Sequence, residues 1–402
     1  MKKFKLRALS YAALLIPIVS FANYRVPSEN VELLEDAMSG SAAIAIDAST
    51  NFFNPAGLTR LPKPQVLAAG RISRIDSMFS GTSVGMSGTA RSKINGIIPA
   101  MHYAMPVYAN TFFGLSVTSP FGSITEYPND SVLRFISTRS LLQVIDIGPS
   151  LAYRFNRHFS LGAGPDAQHG RIVANSFFPP SPFVPSSPLR SWGDDWAFGW
   201  HAGALYEFND FTRLGVNYRS QVRHRFEGQS SYLGVPNNNN LNITLPLPAI
   251  TSLSLYHAFN ATWAMMATMD YTQWDIVKNI VARNSAVASI LVVPQNLHNT
   301  IRYALGGEYH YQSQWIFRTG LSYDPTPQNG RDRNVTLPVG NSIIFGIGGH
   351  YQWKPTLGMD LGYVHVFAKN APINNTLLGL TTVGNVHTSI NVVGMSVTWD
   401  LA

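Results

Sequence analysis

The 402-residue chain contains no cysteine, which excludes a disulfide framework and thiolate metal sites. It is also poor in charge. Asp, Glu, Lys and Arg make up 13% of residues, against roughly 25% in an ordinary soluble domain. A chain this long can bury a large core, so small size does not force the low charge. No run of like charges suggests a nucleic-acid surface. The 11 histidines are scattered, without His-Glu-x-x-His or a comparable metal spacing. Phosphate-loop and dinucleotide fingerprints are missing too. One Gly-x-Ser-x-Gly match, Gly81 to Gly85, sits in a Gly-, Ser- and Met-rich stretch without the strand-turn-helix context of a nucleophile elbow. The expectation is a protein that is not an enzyme and carries no cofactor or metal.

Residues 1–22 read as a cleaved secretory leader. Lys2, Lys3, Lys5 and Arg7 form a basic head, Ala8 to Val19 an apolar run containing Pro17, and Ser20-Phe21-Ala22 a small-x-small cleavage pattern. The run falls short of the ~20 apolar residues that a spanning helix needs. Removing the leader takes away four basic residues and no acidic ones, so the formal charge of +7 falls to +3.

What the chain has is alternation. After residue 63 the dominant signal has period two. Val393, Met395, Val397, Trp399 and Leu401 alternate with Gly394, Ser396, Thr398 and Asp400. Trp315, Phe317, Leu321 and Tyr323 alternate with Arg318, Gly320, Ser322 and Asp324. One face is apolar with aromatics near the ends; the other carries Arg, Glu, Asp and His. Short turns at 108–110, 156–157, 209–210, 260–261, 312–313 and 354–355 alternate with long polar loops at about 79–91, 121–141, 176–193, 228–247, 277–297, 325–340 and 370–385. Six short and seven long connections join fourteen strands. An even strand count with short turns at one end and long loops at the other predicts an all-β transmembrane fold, a 14-stranded antiparallel outer-membrane barrel (residues 64–402) with both termini periplasmic. A soluble sandwich also alternates, but it seldom segregates short and long connections so strictly.

Residues 23–63 do not alternate. Val31, Leu34 and Met38 share one face of a short helix that Gly40-Ser41 can end. The aromatic pair Phe52-Phe53 and the turn Asn54-Pro55-Ala56-Gly57 follow. The small, apolar character of this stretch predicts a partly helical hatch folded into the lumen, where it would stop a wide bore from leaking water.

Taken in order, these stretches resemble the FadL/TodX family of outer-membrane transporters for long-chain fatty acids and other hydrophobic compounds. The matching residues are Gly40-Ser41-Ala42-Ala43 through Asn54-Pro55-Ala56-Gly57-Leu58, Ser119-Pro120-Phe121-Gly122, Gly203-Ala204-Leu205-Tyr206-Glu207, Tyr218-Arg219-Ser220 and Tyr271-Thr272-Gln273-Trp274. Ile301-Arg302-Tyr303-Ala304-Leu305-Gly306 and Phe317-Arg318-Thr319-Gly320 come after them, followed by Tyr323 to Pro327. The resemblance implies a hatch bearing the Asn-Pro-Ala motif and a kink in the third strand that opens the barrel wall sideways.

Three candidate sites follow. The first is an outer apolar landing groove on Phe177, Phe178 and Phe183, where prolines stiffen exposed aromatics; a self-packed lid is the alternative. The second is a lumenal head-group site at Arg171, placed there by the resemblance, with Arg213, Arg219, Arg302 and Arg318 as rival inward cations. Asp166 and Gln168 share a face from which Arg171 has the opposite parity, unless a bulge at Pro165 shifts the register. For the other arginines, pairing with Glu207, Glu308 or Asp324 is the competing role. The third is a gate of Asn54, Pro55 and Ala56 set against a break at Pro120, Phe121 and Gly122, where Pro donates no ladder bond and Gly packs nothing. The implied partners are a long-chain fatty acid or another hydrophobic small molecule, and outer-membrane lipid or, after extraction, detergent, around a monomer. A diffusion porin or surface adhesin on the same barrel is the alternative function. Two departures from the family stand out: the non-aromatic end Trp399-Asp400-Leu401-Ala402, and a polar mature start, Asn23-Tyr24-Arg25.

Overall fold

A computed structural model describes residues 30–180, 185–232, 235–284, 289–377 and 379–401. The expected leader, the segment Asn23-Tyr24-Arg25 and the groove residue Phe183 lie outside the described residues. Alternating side chains build fourteen antiparallel staves. Nine are single strands: β1 (Gln65–Ser83), β2 (Met86–Tyr108), β3 (Thr111–Glu126), β4 (Arg139–Arg154), β5 (Phe159–Phe178), β6 (Ser187–Glu207), β15 (Trp315–Asp324), β16 (Ser342–Lys354) and β19 (Leu380–Asp400). Five are interrupted: β7/β8 (Thr212–Arg219, Val222–Tyr232), β9/β10 (Val235–Leu247, Ile250–Ala258), β11/β12 (Trp263–Thr272, Asn279–Asn284), β13/β14 (Ser289–Pro294, Thr300–Tyr311) and β17/β18 (Leu357–Ala368, Ala371–Leu377). β1 pairs with β2 on one side and with β19 on the other, so the sheet closes into a barrel. Closure gives every stave a neighbour on both sides, as a spanning sheet in lipid requires.

The short turns fall where the sequence places them. The long connections differ. Alternation runs on through most of the residues read as loops, so β1 and β2 continue through 79–91 to a tight hairpin at Val84 and Gly85, whose φ values of 51° and 77° suit a two-residue turn. Segments 228–247, 277–297 and 370–385 are likewise strand hairpins. Residues 127–138 and 325–341 remain irregular.

Exposure follows the alternation. Ile72, Ile97 and Phe198 are 57%, 78% and 74% exposed on the outer wall, where lipid replaces water. Inward positions are polar and buried, among them Ser77, His102, Ser116, Asp146 and Arg318. Among the described residues no helix is long and apolar enough to cross a membrane.

The leading segment comprises α1 (Glu32–Glu35), α2 (Thr50–Phe53) and a 3-10 turn, Pro55–Arg60. Nearly all of it is buried. The expected helix through Met38 stops at Glu35, because Ala37 and Met38 take left-handed backbone (φ 53° and 71°). Val31, Leu34 and Met38 consequently face three different apolar clusters rather than one. The segment meets inward faces right round the ring, and it does so over glycine. A Cβ on Gly215 would stand 1.8 Å from the Ala42 carbonyl oxygen, one on Gly320 1.9 Å from that of Asp36, and one on Gly203 2.0 Å from Asn54 Oδ1. Side chains at these wall positions would hold the segment off.

The largest apolar cluster lies toward the long-hairpin end. Phe121, Leu142, Val144 and Ile172 pack there against Phe226, Leu245, Leu247 and Trp274, which come from the region where staves β7/β8 to β11/β12 break.

Candidate functional site: a gap in the wall and the cavity behind it

β2 and β3 pair from Tyr108 and Thr111 up to Met101 and Val117, and there the ladder ends. β2 still continues against β1 as far as Met86, and β3 continues against β4 as far as Glu126. Higher up, the Glu126 backbone N–H donates to Ser92 Oγ at 2.9 Å. Residues 93–100 and 118–125 thus form the two lips of a gap. The cause lies in β3. Its register with β4 shifts between Thr118 and Phe121, so that Ser119 and Pro120 together oppose Ile145. A two-against-one bulge bends the strand, and Pro120 has no N–H to offer β2.

Behind the gap is a cavity of about 410 Å³, within the ~300–1,000 Å³ range of small-molecule sites. Both lips line it, with Leu33, Leu34 and Met38 of the leading segment, Leu142, Ile344 and Ile390 of the wall, and Arg71 as its one cation among the described lining residues. Arg71 is 2% exposed and shares the inward face of β1 with Leu67 and Ser77. A second, tighter space brings Phe52 and Phe53 against Pro120 and Phe121, with Asp166 and Arg219 beside them.

Two buried ionic networks tie the leading segment to the wall. Arg219 donates to Asp146 and, at 2.8 Å, to Asp166; it also reaches the Phe52 carbonyl at 3.3 Å and lies 4.1 Å from the Phe52 ring. Asp166 in turn meets His201 Nδ1 at 2.8 Å, and His201 Nε2 meets Ser150 at 2.7 Å. On the far side Arg318 gathers Glu32 (3.4 Å), Glu35 (3.0 Å), Glu308 (3.1 Å) and Asp360 (3.3 Å). His310 and His350 stand against Glu308 and Asp360. One guanidinium cannot neutralise four carboxylates, and burial is costly for any that stay charged. Burial pushes the Glu35 carboxyl up to about 8, with Arg318 pulling the other way. Burial raises Glu32 and Asp36 as well.

Several expected site residues sit elsewhere than the sequence suggested. Arg171 is exposed and aligned with Asp194, on the face opposite Asp166 and Gln168, so it does not line the interior. No register shift occurs at Pro165: the β5–β6 ladder runs without a break from Phe159 to Phe178. Phe177 and Phe178 are half-buried, and Phe177 borders a polar cavity with Tyr127, Arg139 and Arg190 rather than an open apolar groove. Arg219 and Arg318 do point inward, but each is spent on carboxylates. Asn54, Pro55 and Ala56 do not face Pro120. Asn54 Nδ2 donates to the Ala42 and Ala204 carbonyls at 2.7 and 2.9 Å, its Oδ1 accepts from the Ala56 N–H at 3.1 Å, and Pro55 lies over Gly162 of β5. It is the preceding Phe52-Phe53 pair that meets the bulge. Ser83 of the Gly-x-Ser-x-Gly match ends β1 and bonds Thr382 Oγ1 at 3.0 Å, in a hairpin rather than a nucleophile elbow.

Sequence reasoning missed Arg71, whose inward parity was legible, and Asn51. Asn51 Nδ2 donates to Ser116 Oγ (2.8 Å) and to the Gly148 carbonyl (2.9 Å), pinning α2 to β3 and β4. Arg213, expected among the inward cations, is buried and donates to the Ala43 and Ile44 carbonyls at 2.6 and 2.7 Å rather than to a carboxylate.

Residues 13–401 match the family described as outer membrane protein transport protein (OMPP1/FadL/TodX). The chain belongs to this family. Within it, the chain is 28% identical to the long-chain fatty acid transport protein of Escherichia coli O6:H1, over 89% of this chain and 90% of that one. It is also 28% identical to the 47 kDa outer membrane protein of Pasteurella multocida, over 94% of each. Among solved structures, a Pseudomonas aeruginosa FadL homologue superposes with a TM-score of 0.87 at 22% identity, over 94% of this chain and all of that one. The Ralstonia pickettii toluene transporter TbuX does so with 0.68 at 17%, over 92% and 98%. Both share the fold. This FadL/TodX-family barrel is therefore a multi-pass protein of the bacterial outer membrane, in a family of transport proteins.

Proposed function

We propose that this barrel takes up long-chain fatty acids or closely related hydrophobic compounds passively and releases them sideways into the membrane through the gap between β2 and β3. The observation that carries this reading is the continuity between the gap and the cavity: the same β2 and β3 residues form the lips of one and the lining of the other. Burying a ~16-carbon chain at ~0.8 kcal/mol per methylene contributes up to ~13 kcal/mol, whereas one charged hydrogen bond contributes ~1.5–3 kcal/mol. Affinity then comes from the apolar lining, and Arg71 orients a carboxylate head.

In the same reading the leading segment is the plug. Its burial and its glycine-spaced contact with the wall favour a stoppered barrel over an open porin. The relatives named for long-chain fatty acid transport favour an acyl cargo. Gly96 offers the test, because a Cβ there meets nothing within 4 Å and the position lies on the lip and lines the cavity. Gly96→Trp should leave an intact barrel that no longer delivers a labelled fatty acid to reconstituted membranes. Undiminished delivery, or open ion conductance in the parent protein, would sink the reading.

A further inference from the structure

The outer wall changes character sharply along β1 and β2. Toward the short-turn end the outward residues are apolar: Ala68, Ile72, Ile97, Pro99 and Met101. Beyond Ile72 and Ile97, which are paired in register, the outward residues become Arg74 opposite Asn95, Asp76 opposite Lys93 and Met78 opposite Arg91. Three cations thus stand with one carboxylate on a single face. Arg91 takes that carboxylate in a bidentate grip, Nε to Oδ1 at 2.7 Å and Nη2 to Oδ2 at 2.5 Å. Arg74 and Lys93 are exposed, and among the described residues no ion pair joins either to a carboxylate. On the other flank Arg74 is aligned with Asn391, so no acid faces it from β19 either.

Position makes this more than a solvated surface. Long hairpins of outer-membrane barrels face the exterior, and β1 rises from Arg74 to the hairpin at Ser83 and Met86. The cations therefore lie just outside the apolar band, at the level of the external headgroups. Diagonal neighbours across two strands are ~7–8 Å apart, so Arg74 and Lys93 can grip one phosphorylated headgroup together, and basic side chains at a membrane surface attract anionic lipid.

We propose that Arg74 and Lys93, on the outer wall of β1 and β2, form a binding site for a phosphate-bearing lipid headgroup of the external leaflet. Lys93 also sits at the start of the free lip of β2, so a lipid held there borders the gap.

The test uses the full-length protein in detergent micelles, titrated with diphosphoryl lipid A and followed by native mass spectrometry. Removing each charge should weaken binding about 5-fold, roughly 1 kcal/mol per basic residue, so Arg74→Gln with Lys93→Gln should lose about 25-fold. The charge-matched control Arg157→Gln with Lys354→Gln, in the short turns, should bind as the parent does, and Arg74→Lys should retain most of the affinity. Dephosphorylated lipid A should bind the parent no better than it binds the double variant. Equal binding by parent and double variant overturns the proposal, as does an equal loss in the control. Inorganic phosphate that competes at concentrations similar to the lipid would assign the patch to a soluble anion and overturn the lipid site.

Discussion

The two seams that flank β2 differ in length, and that difference organises the molecule. Toward β1 the ladder runs from Gln65 and Ala104 to Ser83 and Met86. Toward β3 it stops at Met101 and Val117. Both edges belong to one strand, whose lip contains Pro99, a residue without a backbone N–H. What differs is the partner: β1 is uninterrupted, while β3 carries a bulge at Ser119-Pro120 and lacks the Pro120 donor. Unpaired backbone in lipid costs several kcal/mol per group. A barrel that pays this on one seam and not on the next has a reason to keep it.

The largest expected effect comes from breaking the comparison on its open side. Gly96 and Gly70 both have open space where a Cβ would go, Gly96 on the inward face of the lip and Gly70 on the outward face of β1, beside the closed seam. Gly96→Trp should cut fatty-acid uptake more than 10-fold, whereas Gly70→Trp should leave it near the parent value, measured as initial rates in proteoliposomes. Next is the plug. Gly215→Val forces a side chain into the Ala42 carbonyl and should detach the leading segment from β7, raising single-channel ion conductance while the barrel still folds. Smaller again is Asn54→Ala, which removes the Asn54 hydrogen bonds to the Ala42 and Ala204 carbonyls, at ~1–3 kcal/mol where a buried acceptor is left unpaired. Faster amide exchange across residues 40–60, with the wall unchanged, is the expected readout.

The last readout is a pH dependence. Glu35 titrates near 8 when docked, against an ordinary value of 4.5. The docked state therefore holds a proton that the released segment gives up, and docking is strongest at low pH and weakens as pH rises from about 4.5 through about 8. Glu35→Gln should reduce this trend in the amide exchange of α1, and the remainder comes from Glu32 and Asp36, which burial also raises.

Much of this was legible in the residues. Period-two patterning placed the staves and the short turns because lipid and interior impose opposite chemistry on alternate positions. Pro120 marked the strand that bends. The side on which the ladder opens was not legible, since it depends on which neighbour loses its partner, and β4 follows the bulge while β2 does not. Hairpin lengths were underestimated because polar strands rising beyond the membrane read as loops. The Arg318 cluster was hidden by distance, its partners Glu32 and Glu35 lying on a segment more than 280 residues earlier in the chain. The motif Asn54-Pro55-Ala56 drew attention to the wrong contact: it secures the segment to β5 and β6, and Phe52-Phe53 beside it reaches the bulge.

The most direct test maps where cargo touches the wall. A long-chain fatty acid carrying a diazirine near its tail would be photolysed during uptake into outer-membrane vesicles, and its adducts located by peptide mass spectrometry. The account predicts adducts concentrated on residues 94–99 and 119–125, absent from the outward face of the β1–β19 seam and abolished by Gly96→Trp. Adducts confined to the short turns around Asn156 and Asn209, with the lips unlabelled, would mean that cargo passes straight through the bore, and would contradict it.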